Sequence, residues 1–258
     1  MRGRVARGNT VAHTHTTIWE GASRYTGRPV RAVVKGHVND KVGKCLGLWV
    51  VPAHTHAMDS VRTRDDRDQC GDCTHAAHNG KTCYTHASTR ILWNAPKGTG
   101  GTLWQTLGGV SRQVSHLRSA VYGDIGALPA EAVQAVRELR GNLNMRPLGY
   151  THAWSTRPDL AADHMASVDS VQEAQEATAK GWRYFRTRLP GAPLLAGEVQ
   201  CPATPEARRA NPITCTQCGL CSGNARPGLP SVSAWRHEPA AKAAGRRILA
   251  QLAIGGAQ

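Results

Sequence analysis

The sequence predicts an α/β protein: a partial or closed (β/α) barrel of parallel strands, preceded by an antiparallel β hairpin and carrying two cysteine-rich metal loops. Three observations predict it. Strand-like and helix-like segments alternate from Val114 to Gln200 at about 25 residues per unit, the rhythm of βαβ units. The stretch from Thr17 to Ala53 reads as β throughout. Seven of the eight cysteines fall into two short-spaced groups, one in each half of the chain.

Taken in order, residues 1–16 read as a flexible tail and 17–237 as a single α/β domain. Within it, 17–60 hold the hairpin. TIWEG and PVRAVVKG alternate apolar and polar residues, HVNDKVGK reads as a turn region, and CLGLWVVPA is a second extended run. Residues 61–110 hold the first cysteine loop and an irregular Gly- and Thr-rich stretch, with Trp93 and Trp104 expected to cover the core.

Residues 111–200 hold the β/α repeats. HLRSAVYGD is strand-like, and PAEAVQAVRELRG is a helix with Pro129 at its start and Gly141 beyond its end. MRPLGYTHAW reads as a strand, RPDLAADH as a short helix and MASVDS as a strand. SVQEAQEATAKG is a helix capped by Ser170 and stopped by Gly181. WRYFRTRL and LLAGEVQCP follow as extended segments. Residues 201–223 hold the second cysteine group, and 238–258 read as a terminal helix or tail.

In such a fold the chemistry gathers at the C-terminal ends of the strands. The residues expected there are Gly123 and Asp124, then His152 and Trp154, then Asp169 and Ser170, then Arg186 and Arg188, then Cys201. Asp124, His152 and Asp169 are the candidate catalytic groups. His152 fits a general acid or base as well as a packed ring beside Trp154. Asp169 and Ser170 fit a strand end with a helix cap equally well. Arg186 and Arg188 suit bidentate anion binding, or else the polar face of a half-exposed strand.

The cysteines carry the most specific signal. Cys70, Cys73 and Cys83 lie in CGDCTHAAHNGKTC, and Cys201, Cys215, Cys218 and Cys221 lie in CPATPEARRANPITCTQCGLC. A C-x-x-C step turns two thiolates onto one ion, and C-x-x-C-x-x-C turns three from one loop. Three ligands from one loop plus a remote Cys-Pro resemble ferredoxin-type iron–sulfur ligation; zinc is the alternative. The three-cysteine group is completed by His75, His78 or His86 in a zinc reading, or left open in a cluster reading. Cys45, in an apolar run, reads as a buried structural thiol.

Clustered cysteines, the lack of an apolar leader at the N-terminus and the lack of an 18-residue apolar run predict a cytoplasmic protein without a membrane span. Lys and Arg number 32 against 18 Asp and Glu, a formal net charge of +14. That balance favours nucleic acid as a partner through counterion release, although the cations are scattered and form no DNA-reading motif. No Gly-rich phosphate loop, G-x-S-x-G elbow or HExxH helix is present.

CGDC…CY, YGD followed by ALP, YTHAW, ASVDS…EA…GWRYFR and CPAT…TCTQCGLC together resemble a family of proteins encoded by phages of actinobacteria, from Thr17 to His237. More distantly, the chain is similar to radical-S-adenosylmethionine-like phage proteins. That resemblance implies a catalytic iron–sulfur cluster on Cys70, Cys73 and Cys83 with one iron open to S-adenosylmethionine. It also implies that Gly123 and Asp124 meet the cofactor; Arg186 is taken as a further cofactor contact, and nucleic acid or a nucleotide-derived molecule as the substrate. The host cytoplasm would be its compartment. The spacing here is C-x2-C-x9-C rather than C-x3-C-x2-C, and Ile125 stands where that family places proline. The competing reading is a zinc-stapled module that binds nucleic acid without catalysis.

Overall fold

The structure is a computed structural model that describes residues 15–80, 83, 114–204, 207, 212–226 and 228–235. The N-terminal tail, the segment with His86, Trp93 and Trp104, and the terminal helix expected after residue 238 lie outside the described residues. What is described is a mixed α/β architecture built on two five-stranded sheets.

The first sheet starts as the expected antiparallel unit. Strands β1 (His15–Ala22), β2 (Pro29–Asn39) and β3 (Gly43–Pro52) form a meander. HVNDKVGK is therefore mostly strand, with the turn confined to the residues between Asn39 and Gly43. β3 then pairs in parallel with β4 (His116–Tyr122), which pairs in parallel with β5 (Arg146–Leu148). β3 is buried from Cys45 to Pro52 because both of its faces are covered. Leu46, Leu48 and Val50 enter the main core, while Trp49 and Val51 pack with Val33 and Val121 on the other side. That alternation is the period-2 geometry of a strand. Trimming Leu48 to Ala removes about 3 kcal/mol, the usual cost of a cavity at a fully buried leucine.

The second sheet is all parallel, in the order β6 (Tyr150–Thr151), β7 (Met165–Val168), β8 (Tyr184–Arg188), β10 (Ser231–Trp235), β9 (Glu198–Gln200). No closed barrel forms among the described residues. β5 and β6 are separated by Gly149 alone, whose N–H donates to the Cys221 carbonyl oxygen at 2.8 Å instead of continuing a ladder. The MRPLGYTHAW segment is therefore two short strands, and the sheets stay distinct. They share one core, in which Leu48 and Leu117 from the first meet Ala166, Val168 and Tyr184 from the second.

Two short helices precede the repeats, α1 (Ala57–Arg62) and α2 (Arg67–Cys70). α3 (Ala130–Asn142) buries Ala132, Val133, Val136 and Leu139, one stripe of the helix. It runs past Gly141, and Asn144 takes the left-handed turn beyond its end, with φ 49°. RPDLAADH yields only a 3-10 turn at Pro158–Leu160. α4 (Val171–Ala179) begins as expected: the Ser170 hydroxyl accepts from the Glu173 N–H at 3.0 Å. The crossover from β9 to β10 contains α5 (Cys215–Cys218) and brings the chain back to insert β10 between β8 and β9. Among the described residues no helix is long and apolar enough to cross a membrane.

Candidate metal centres

All eight cysteines are among the described residues, and none forms a disulfide. The first group grows from the loop that follows α1. Asp66 organises that loop, accepting from the N–H groups of Ala77 at 2.7 Å and His78 at 3.0 Å, with His78 Nδ1 2.7 Å from the same carboxylate. Gly71, inside the C-x-x-C step, has φ +57°, and a Cβ there would run into the Tyr25 ring. The long step to Cys83 closes because its N–H donates to the His75 carbonyl oxygen at 3.0 Å.

This loop docks on the end of β4. The Asp124 N–H donates to the Gln69 carbonyl oxygen at 2.6 Å. Gly123 has φ +72°, and a Cβ would collide with the Val50 carbonyl oxygen, so glycine is what lets β4 end against the loop. Burial pushes the Cys70 thiol up, and Asp66, Cys73, Cys83 and Asp124 add to that push. The three cysteines and Asp124 thus share one neighbourhood.

Asp124 is buried and its carboxylate is spoken for. Oδ1 accepts from the Gly126 N–H at 2.8 Å and the Thr151 hydroxyl at 2.5 Å, and Oδ2 accepts from the His152 N–H at 2.7 Å. Burial raises its pKa, yet His152, Thr151 and Gly126 outweigh burial and hold it below the ordinary carboxylate value. Its geometry is that of a positioning group for the β6 end.

His152 is the hub of the site. Its Nδ1 faces Asp124 Oδ2 at 3.8 Å, while its Nε2 lies 3.8 Å from both Asp169 Oδ2 and the Cys73 sulfur. Burial lowers its pKa, but Asp124 and Cys73 overcome burial and hold it well above the ordinary imidazole value. Asp169, at the end of β7, accepts from the Thr74 hydroxyl at 2.8 Å and from the Thr187 hydroxyl, and its Oδ1 lies 3.0 Å from His75 Nε2. Burial raises its pKa; His75, Thr187 and Thr74 together drive it down. His75 and His152 meet edge to face with centroids 5.9 Å apart.

The structure thus brings Cys70, Cys73, Cys83, Asp124, His152 and Asp169 to one region at the strand C-termini. Arg186 is not brought there. Its guanidinium pairs with Glu198 at 2.6 Å and 2.7 Å and donates to the Pro193 carbonyl oxygen. The period-2 alternation of β8 explains this: Thr187 faces Asp169, so Arg186 and Arg188 face away. Arg188 is engaged with Gln200, the Ala192 carbonyl oxygen and the Trp235 ring.

The second group lies in the β9–β10 crossover. Thr214 and Gln217 form a capping box around α5, and Gly219 supplies a left-handed turn with φ +65° before Cys221. Burial pushes the Cys221 thiol up, followed by Cys201, Cys215 and Cys218, so the four are neighbours. Their surroundings are apolar: Met165, Val232 and Ala234 on one side, Val42, Cys45 and Leu148 on the other. Cys45 is fully buried there, its thiol pushed up to about 12 by burial.

Among the described residues, only His75, His152 and Asp169 bring three ligand-type atoms within 4.8 Å of one another. No family model, curated protein or solved structure matches this chain. The strand-end rule located His152 and Asp169. His75, two residues after Cys73, reads in the sequence as a partner for the cysteines, whereas its Nε2 faces Asp169.

Proposed function

We propose that the protein is an iron–sulfur enzyme of the radical-S-adenosylmethionine-like kind, acting on nucleic acid or a nucleotide-derived substrate. The supporting observation is the meeting of Cys70, Cys73 and Cys83 with Asp124, His152 and Asp169 at the ends of parallel strands. Those ends are where α/β folds place their chemistry. The donor chemistry fits a cluster. Buried thiolates need a cation to stay charged, and burial disfavours the charged form at Cys70, Cys201, Cys215, Cys218 and Cys221.

One zinc ion asks for sulfurs about 3.8 Å apart, given bonds of about 2.3 Å at tetrahedral angles. No three cysteine sulfurs lie within 4.8 Å of one another among the described residues. A cluster gives each thiolate a different iron and does not ask the sulfurs to share one ion. His78 turns its Nδ1 toward Asp66 and His75 its Nε2 toward Asp169, and His86, the third candidate to close a zinc site, lies outside the described residues.

When bound, the cluster would supply one-electron chemistry at its open iron. The chain's own residues hold its surroundings. Asp124 fixes the β6 end through Thr151 and His152, Asp169 orients His75 and His152, and Gly123 admits the loop to the strand end. Cys201, Cys215, Cys218 and Cys221 would hold a second cluster that ties β9 to β10.

Anaerobic purification and reconstitution test the reading. Iron and sulfide at both groups, with an absorption spectrum that changes on adding S-adenosylmethionine, is the expected result. A colourless protein holding two zinc ions contradicts it. That outcome favours the second reading, a zinc-stapled nucleic-acid-binding module, which rests on the net charge of +14. Its signature is nucleic-acid affinity that falls steeply with salt.

A further inference from the structure

We propose that His75, His152 and Asp169 bind a divalent first-row metal ion of their own, beside the first cysteine group, whose Cys73 sulfur lies 3.8 Å from His152 Nε2, and not dependent on that group holding iron. The three come from different parts of the chain: the first cysteine loop, the end of β6 and the end of β7. Their ligand atoms nevertheless lie within 4.8 Å of one another. Bonds of about 2.0–2.2 Å at tetrahedral or octahedral angles put ligand atoms about 3–3.5 Å apart. The separations here bracket that range, with His75 Nε2 3.0 Å and His152 Nε2 3.8 Å from Asp169 oxygens.

The supporting shell is that of a metal site. His152 turns Nε2 toward Asp169 and Nδ1 toward Asp124, whose Oδ2 lies 3.8 Å away as a nearby charge rather than a hydrogen-bond partner. Asp124 also holds the His152 backbone N–H at 2.7 Å, so the ring's origin is fixed. Asp169 is oriented by the hydroxyls of Thr74 and Thr187, and its backbone N–H donates to Glu173 Oε2 at 2.6 Å. All three ligands are partly or largely shielded from solvent.

Two imidazoles and one carboxylate make a borderline nitrogen and oxygen donor set. It suits Fe2+, Co2+ or Zn2+, not the soft ions that thiolates select. Three protein ligands leave coordination positions for water or substrate, as in catalytic rather than structural sites. The ion would be a Lewis acid beside the first cysteine group, able to take a phosphate, hydroxyl or carbonyl oxygen.

Cobalt(II) titration of the full chain tests this. The wild type should bind one more Co2+ than His75→Ala or Asp169→Asn, with the near-ultraviolet thiolate-to-cobalt absorption unchanged between them. Thr187→Val should keep the site but weaken it by about 10-fold, as for a lost orienting hydrogen bond. Cys73→Ser should leave this Co2+ in place. Equal stoichiometry in wild type and His75→Ala overturns the proposal. So does a thiolate band that falls along with the lost ion, or loss of the ion in a folded Cys73→Ser protein, because the metal then belongs to the cysteines. Iron and sulfide content, measured separately, shows whether the cluster reading stands or falls.

Discussion

The two cysteine groups differ in what surrounds them. The first sits among Asp124, His152, His75 and Asp169, with the ends of β4, β6 and β7 each contributing a titratable side chain. The second packs against Met165, Val232, Ala234, Val42, Cys45 and Leu148, and the charges that act on its thiols from outside the group are the cations Arg118, Lys41 and Arg226. Surroundings of the first kind can hold and move protons and meet a substrate. Those of the second kind pack the crossover against both sheets. On the reading proposed above, the difference would place reactivity at one group and stability at the other, from the same ligand type.

The largest expected effect breaks the second group. Cys221→Ser should cost on the order of 5 kcal/mol, because the binding free energy of a structural metal site is folding free energy. Chemical denaturation reads this directly. Cys73→Ser should cost far less stability while removing the chemistry; equal losses in the two variants would erase the contrast.

Arg183 sharpens the same point. Its guanidinium donates to the carbonyl oxygens of Leu220, Gly223, Leu229 and Pro230 at 2.6–3.0 Å, clamping the end of the crossover to the start of β8. Arg183→Met should lose about 3 kcal/mol by denaturant titration, the scale of hydrogen bonds to a charged group left unmade. Asp124→Asn tests the first group: activity should fall about 10–100-fold, the usual effect of an outer-shell carboxylate, with a stability loss of about 1–3 kcal/mol because the amide leaves a buried donor unmatched.

Acid should act through histidines outside both groups. Burial lowers the pKa of His164 and of His37 to about 4, the latter aided by Arg118 and Lys35. A histidine with a depressed folded pKa is neutral in the fold, while the unfolded chain takes up a proton below about 6.5. Stability is therefore fully present above about pH 6.5 and falls as pH drops toward about 4. Fully enclosed His164 carries the larger loss, about 3 kcal/mol at about 1.36 kcal/mol per pKa unit, and part-exposed His37 a smaller one. His164→Leu should flatten part of that slope in a denaturation series across the window; an unchanged slope would mean that ring is already charged.

Much of this was legible in the sequence, for physical reasons that also mark where legibility ends. Ser170 and Pro129 announced α4 and α3, because caps and helix starts are local signals. The strand ends at Asp124, His152 and Asp169 followed from the βα rhythm. β10 was not legible: SVSAW is short, and only its two parallel neighbours make it a strand. α1 and α2 were hidden because their exposed faces read as polar loop. Arg186 was misplaced by one step of strand parity, since Thr187 and not Arg186 faces Asp169. The gap between β5 and β6 depends on the Gly149 bond to Cys221, a long-range contact that no local pattern announces.

Electron paramagnetic resonance of the reduced, reconstituted protein tests the division of labour most directly. The wild type is compared, with and without S-adenosylmethionine, against Cys70→Ser/Cys73→Ser/Cys83→Ser and Cys218→Ser/Cys221→Ser. The expected result is two cluster signals, of which only the one lost in the first variant shifts when S-adenosylmethionine is added. A response that survives in the first variant and vanishes in the second would contradict the assignment, and the absence of any iron signal would contradict it entirely.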